Sequence, residues 1–260
     1  MMDPEEPFIA HEKVWEAWIG SNSDKYSVYV HSTTAGAPVN FGAAISVTRV
    51  QTRIGHQADI SLSATLDILE HALQDLSVYK CVFLSGSCIP VKRAEIVYAQ
   101  LIDNDLSSFF FSSRAQVIDR FSESHLLDHF TLNQIRKHSQ WCIINRVHGA
   151  YLVGERDRIR RLFWQTKIPV ECAFGTLLAS NPYFSNIDDK DTMYTFWAEE
   201  DDDEFQQSNG EKPYEFSNLT AHFFMKYMID KPVHYFAQKF ARTCQVDGQC
   251  LLSFLNGKVY

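Results

Sequence analysis

The chain has 260 residues, 45% of them hydrophobic and 22% charged, enough apolar material for a sizeable core, which excludes wholesale disorder. The net charge of -8 excludes a broad nucleic-acid surface, which needs a basic stripe, yet allows a small cationic pocket for a phosphate group. The six cysteines form no CxxC pair, so a structural zinc site is not expected.

The N-terminus, MMDPEEPFIA, is acidic and does not read as a signal peptide, and no apolar run reaches the length of a membrane span. The chain as written therefore reads as soluble and cytoplasmic. Residues 11–19 carry Trp15 and Trp18 three apart, on one face of a helix. Residues 26–31 (YSVYVH) form a short β-branched and aromatic strand that ends in a Ser/Thr/Gly loop. Residues 61–76 are helical, with Leu62, Leu66, Leu69 and Leu73 at helical spacing and Ser61 as a candidate N-cap. The strand 79–84 closes on the small-residue turn Ser85-Gly86-Ser87, and a helix follows over 94–101. Further on, strands are expected at 108–112 and 141–145, and helices at 147–153 and 156–164. A helix over 171–179, a strand over 193–197, a helix near 219–228 and a strand over 234–240 complete the chain. Strand, loop and helix alternate, so the expected fold is α/β, with a mostly parallel sheet flanked by helices in one domain over residues 1–260.

Several residues have the chemistry of a site, and each also has a plainer reading. His31 ends a strand, where open parallel sheets form their ligand crevice; it is a candidate contact to a donor or an acceptor, or a hydrogen-bonded structural histidine. Gly86, in the Ser85–Ser87 turn, permits close backbone approach to a ligand. Cys88 as a nucleophile would need a basic partner, and none is assignable. Trp197 and Tyr214 can stack on a sugar ring or simply anchor loops. Asp201 and Asp203 have the DxD spacing that holds a cation on a diphosphate, but they lie in an acidic run (EEDDDE, about 199–211 with its tail) that reads first as a solvated loop. Asp103 and Asp105 repeat the spacing at a helix end.

Five segments together resemble the core-2/I-branching glycosyltransferase family, including its plant-type relatives. Residues 83–101 (FLSGSCIPVKRAEIVYAQL) look like the family's strand-turn-helix segment. Residues 138–146 (HSQWCIINR), which include Trp141, are similar to its SQW block. Residues 171–178 (ECAFGTLL) resemble the segment in which a glutamate precedes a threonine by five positions. Residues 235–241 (YFAQKFA) look like its C-terminal block, and Trp15-Glu16 with Val30-His31 match its entry region. The blocks stand in the family's order over roughly residues 15–240.

The resemblance implies a GT-A type, Rossmann-like nucleotide-sugar fold and an inverting transferase that needs no metal ion and no other cofactor. It implies a UDP-sugar donor, N-acetylglucosamine first, with xylose and glucuronic acid as alternatives, and a glycan hydroxyl as acceptor. Carried over residue by residue, Glu171 is the general base and Lys239 contacts the donor diphosphate. His31, Ser85 and Gly86 are then assigned to the donor, and Cys88, Trp141, Trp197 and Tyr214 to the acceptor. Apart from the resemblance, Glu171 reads as a glutamate favouring a helix N-terminus, and Lys239 as either an anion partner or a snorkelling surface lysine. The sequence departs from the family in two places. The arginine that grips the diphosphate has no counterpart in residues 215–220 (EFSNLT), where Lys212, Lys226 or Arg242 would have to substitute. The apolar strand and membrane anchor that precede the Trp-Glu helix in the family are not among the fourteen residues before Trp15. An upstream anchor would place the protein at the Golgi membrane instead. A non-catalytic carbohydrate- or nucleotide-binding scaffold on the same fold is the competing expectation.

Overall fold

The structure, a computed structural model, describes residues 11–20, 22–31, 47–50, 60–197, 213–219, 233–246, 251 and 253. Helix α1 (Glu12–Gly20) buries Trp15 and Trp18 together, their rings edge-on at 5.8 Å. Helix α2 (Ile60–Leu73) buries Leu62, Leu66 and Leu69 completely. Each such leucine contributes about 1.5–3 kcal/mol by leaving water, so this stripe alone fixes which face turns inward. The helix starts at Ile60, which puts Ser61 inside its first turn; the Ser61 carbonyl accepts the Thr65 hydroxyl instead of capping the end. Helices α3 (Ala94–Ile102), α4 (Arg114–Phe121), α5 (Arg146–Gly154), α6 (Arg156–Phe163) and α7 (Ala173–Ser180) follow in order.

The strands are β1 (Val28–His31), β2 (Val47–Val50), β3 (Lys80–Val82), β4 (Ile89–Pro90), β5 (Ser107–Phe109) and β6 (Ile143–Asn145) in the first part of the chain. They continue with β7 (Ile187–Asp189), β8 (Met193–Thr195), β9 (Phe216–Leu219), β10 (Phe236–Gln238) and β11 (Phe240–Val246). Among the described residues they assemble as β1-β2, β3-β6-β5-β7, β4-β10-β8 and β11-β9. Four of the seven pairings are parallel and three antiparallel, so the α/β class holds while the sheet is mixed. One of the antiparallel pairings joins β4 to β10, and the other two belong to β6, which runs against both β3 and β5. Its residues Ile143, Ile144 and Asn145 are all buried, and a strand buried on both faces reads the same in either direction.

Two apolar cores result. One packs α1, α3, β4, β8 and β10 around Trp15, Trp18 and Phe236. The other packs α2, α4, α6 and α7 against β5 and β6 around Phe109, Phe163 and Phe174. Arg146, the last residue of the SQW block, joins α5 to α2: its guanidinium donates to the Leu73, Asp75 and Val78 carbonyls at 2.7–2.9 Å, satisfying the end of α2. The strand expected near 193–197 stops at Thr195, and Leu219 closes β9 where a helix was expected to begin; residues 220–228 lie outside the described residues.

Candidate active site

Glu171 closes a short 3-10 turn, Pro169–Glu171, and α7 starts two residues later than the sequence pattern implies. Its neighbours Val170 and Cys172 are buried, so the turn leaves Glu171 as the side chain that faces outward. Its carboxylate is met by charge. Oε2 accepts from Arg120 Nη1 at 3.2 Å, and Lys137 Nζ stands 4.0 Å away. Lys137 also donates to Ser112 Oγ at 3.1 Å.

The backbone beneath this group is laced to the SQW block. The His138 N–H donates to the Glu171 carbonyl at 2.8 Å. The Gly175 N–H donates to His138 Nε2 at 3.2 Å, which assigns the ring proton to Nδ1, where it is donated to the Ser139 carbonyl at 2.8 Å. Thr176 Oγ1 accepts the Arg136 N–H at 3.0 Å. The five-residue spacing of Glu171 and Thr176 is thus the spacing at which a turn and the helix after it hold one extended segment, residues 136–138. Burial pushes His138 down to about 4, the Lys137 charge adding and the Ser139 bond opposing, so the imidazole is neutral at pH 7.

From Lys137 the segment runs on to Trp141, whose N–H donates to Ser139 Oγ at 3.2 Å. Trp141 lines a small cavity of about 40 Å³ with Gln140, Phe83 and Leu84. Phe83 and Leu84 also line a larger cleft of about 480 Å³ between α1, β1, β3 and α3. Ser85 and Gly86 also line this cleft, and Tyr26, Tyr29, Tyr79 and Tyr98 give it aromatic walls beside Lys25 and Lys80. Strands β1 and β3 both line it, and among the described strands they do not pair with one another.

Lys239 follows β10. The Phe240 N–H donates to the Ser87 carbonyl at 3.0 Å, which brings Lys239 beside the Ser85–Ser87 turn. Its Nζ lies 3.4 Å from Glu215 Oε1, both side chains about half exposed. Cys88 is completely buried under the turn, its thiol 3.1 Å from Ser85 Oγ and pushed up by burial. An acceptor does not reach it in this arrangement. His31 is buried at the end of β1 and does not line the cleft. Trp197 is exposed just beyond β8, and Tyr214 packs edge-on against Phe216 at 4.9 Å, its N–H donating to the Phe196 carbonyl. The expected residues therefore do not share one cavity: Ser85 and Gly86 line the large cleft, Lys239 stands beside their turn, Trp141 lines the small cavity, Trp197 and Tyr214 flank Phe196, Glu171 meets Arg120 and Lys137, and His31 and Cys88 are buried. Neither Glu171 nor Lys239 lines the large cleft.

A family model described as "Core-2/I-Branching enzyme" matches residues 9–228. The chain belongs to the core-2/I-branching enzyme family. It is 24% identical over 177 residues to a protein of Oryza sativa subsp. japonica called "Glycosyltransferase BC10", a match that covers 58% of this chain. The chain spans about 40% of the length of that relative.

Within this core-2/I-branching chain, the stretch that lacks the expected arginine supplies Glu215, an acid, and pairs it with Lys239. Of the cations named as substitutes, Lys212 and Lys226 lie outside the described residues, and Arg242 sits on β11. Asp201 and Asp203 also lie outside the described residues. Asp103 ends α3, and Asp105 accepts a hydrogen bond from Asn186, which is the helix-end loop of the plainer reading. Among the described residues no group of three or more His, Cys, Asp or Glu side chains comes together to hold a metal ion, and no helix is long and apolar enough to cross a membrane. Two residues of the site, Arg120 and Lys137, were not identified from the sequence. Arg120 lies on α4, whose signal is the capping box Ser113–Gln116: Ser113 Oγ accepts the Gln116 N–H and Gln116 Oε1 accepts the Ser113 N–H.

Proposed function

We propose that the chain is an inverting, metal-independent glycosyltransferase of GT-A type that moves a sugar, N-acetylglucosamine first among the candidates, from a UDP-sugar to a glycan hydroxyl. The observation that carries this reading is the outward-facing Glu171 carboxylate on the turn laced to the SQW block, in a chain of the core-2/I-branching family. In the step, the acceptor hydroxyl oxygen attacks the anomeric carbon and its proton passes to Glu171. The bond from that carbon to the diphosphate oxygen breaks as the new glycosidic bond forms, and UDP leaves with the electron pair. Lys239 beside the Ser85–Ser87 turn meets the charge that develops on the departing diphosphate. The Ser85–Gly86 turn, beside which Lys239 stands, contacts the donor, and Trp141, Trp197 and Tyr214 supply flat faces for the acceptor. The name of the Oryza protein, "Glycosyltransferase BC10", supports the same class of activity.

The test is UDP release from UDP-N-acetylglucosamine, with a panel of glycan acceptors, in EDTA. The wild type is expected to turn over, and Glu171→Gln to lower kcat by about 10²–10⁴-fold. Undiminished turnover in the variant removes Glu171 as the base, and a wild type that needs manganese removes metal independence.

A second reading, a non-catalytic nucleotide- or carbohydrate-binding scaffold, is favoured by one observation: Lys239 is already paired with Glu215. It predicts no UDP release under any of these conditions.

A further inference from the structure

Both cations beside Glu171 engage the same oxygen. Arg120 Nη1 is 3.2 Å and Lys137 Nζ 4.0 Å from Oε2, while Oε1 accepts no hydrogen bond from any described residue. The two cations are themselves held. Lys137 is pinned at both ends: its Nζ donates to Ser112 Oγ, and its carbonyl accepts the Ser112 N–H at 2.8 Å. Arg120 stands in the last turn of α4, which is fixed by its capping box and by the buried side chains of Val117 and Phe121. All three charged side chains are about one quarter exposed, sheltered enough to keep one geometry and open enough to meet a substrate. A glutamate on a turn otherwise samples several rotamers, and a base must sit within hydrogen-bond reach of the proton it takes.

The geometry points to Arg120 and Lys137 as positioning residues that hold Oε2 of Glu171 and thereby present Oε1 as the oxygen that receives the acceptor proton. This rests on the reading of Glu171 as base. The competing role for the two cations is structural, an ion cluster that ties α4 to the turn before α7. The two roles differ in how the substitutions combine. A residue that acts through Glu171 has nothing left to act on once Glu171 is replaced.

The experiment compares wild type, R120Q, R120K, K137Q, E171Q and R120Q/E171Q in UDP release from UDP-N-acetylglucosamine, with a thermal melt of each. R120Q is expected to lower kcat about ten- to a hundred-fold with donor KM within about twofold, since a misplaced group costs about that much. R120K recovers part of the loss, K137Q loses less than R120Q, and R120Q/E171Q matches E171Q alone. If E171Q turns over like wild type, the base assignment itself fails and this inference falls with it. If E171Q is impaired and R120Q multiplies its loss in the double variant, only this inference fails. A measurement independent of turnover accompanies these: crystal structures of wild type and R120Q/K137Q. One Glu171 conformer in the wild type and more than one in the variant are expected, and an unmoved carboxylate in the variant overturns the inference.

Discussion

Gly175 stands so close to His138 that a Cβ at this position would lie 2.6 Å from His138 Cδ2 and 3.0 Å from the Phe111 ring. The contact carries the first turn of α7 onto the segment that leads to Trp141. His138 has no room to yield, because both ring nitrogens are engaged and the residue is buried. Gly175→Ala brings a gain of roughly 1 kcal/mol in helix propensity and an overpacking cost of about 1–3 kcal/mol. The clash is with a fixed, buried ring, so the cost wins. A lower urea midpoint at unchanged slope is expected, and a variant as stable as wild type contradicts the packing described.

The same histidine makes stability depend on pH. Burial holds His138 at about 4 in the folded chain, against an ordinary 6.5. Between those values the unfolded chain binds a proton that the folded chain refuses. Stability is therefore unaffected by this group above pH 6.5, declines as pH falls, and has lost on the order of 3 kcal/mol by about pH 4. His11 and His148 are lowered by burial as well and act in the same direction. The specific check is the His138 ring resonance in an NMR titration, which should keep its neutral position from pH 7 down to 5. A midpoint near 6.5 rules out the buried, doubly bonded ring.

Arg156 gives a third test. It joins α6 to α2 through Asp67 and, at 2.9 Å, Glu70. Arg156 and Asp67 are both largely shielded from water. Removing one member of a shielded pair takes away the other's closest counter-charge and costs about 3 kcal/mol, whereas replacing both by apolar groups is nearly neutral. R156M should therefore unfold at clearly lower denaturant, and R156M/D67L should recover most of the loss. Equal destabilisation of the single and double variants would show that the pair matters through packing of the arginine stem instead.

How much of this was legible in the sequence follows from what each signal encodes. The Leu62, Leu66 and Leu69 stripe and the Trp15–Trp18 pair encode burial locally, and they are buried where the spacing puts them. The Glu171–Thr176 spacing is local too, since it links one turn to the helix after it. The direction of β6 is not local, because it depends on which neighbours an all-buried strand meets. Arg120 lies 51 positions from the carboxylate it holds, and only the Ser113–Gln116 capping box announces the helix that carries it. Cys88 reads as a strand-end thiol but is covered by the turn it belongs to, since three small residues in succession let the chain fold over it. Glu215 stands in the stretch that departs from the family pattern, and its partner on a distant strand end is visible only once the chain is folded.

That partner sets the last prediction. Lys239 and Glu215 are each about half exposed, and an ion pair of this kind contributes less than about 1 kcal/mol to folding. Lys239→Ala and Glu215→Gln should therefore leave the melting temperature nearly unchanged. Their effects on UDP should be opposite in sign. Lys239→Ala removes a cation beside the Ser85–Ser87 turn and should weaken UDP binding. Glu215→Gln frees that cation and removes a negative charge that repels the diphosphate; a gain of roughly 0.7–1.4 kcal/mol, or about three- to tenfold in Kd, is expected at low salt. Calorimetric titration with UDP reads both. If Glu215→Gln weakens binding instead, the acid orients Lys239 toward the nucleotide, and the departure from the family pattern compensates for the absent arginine. If neither variant changes the heat of binding, the diphosphate lies elsewhere and Lys239 is a surface lysine.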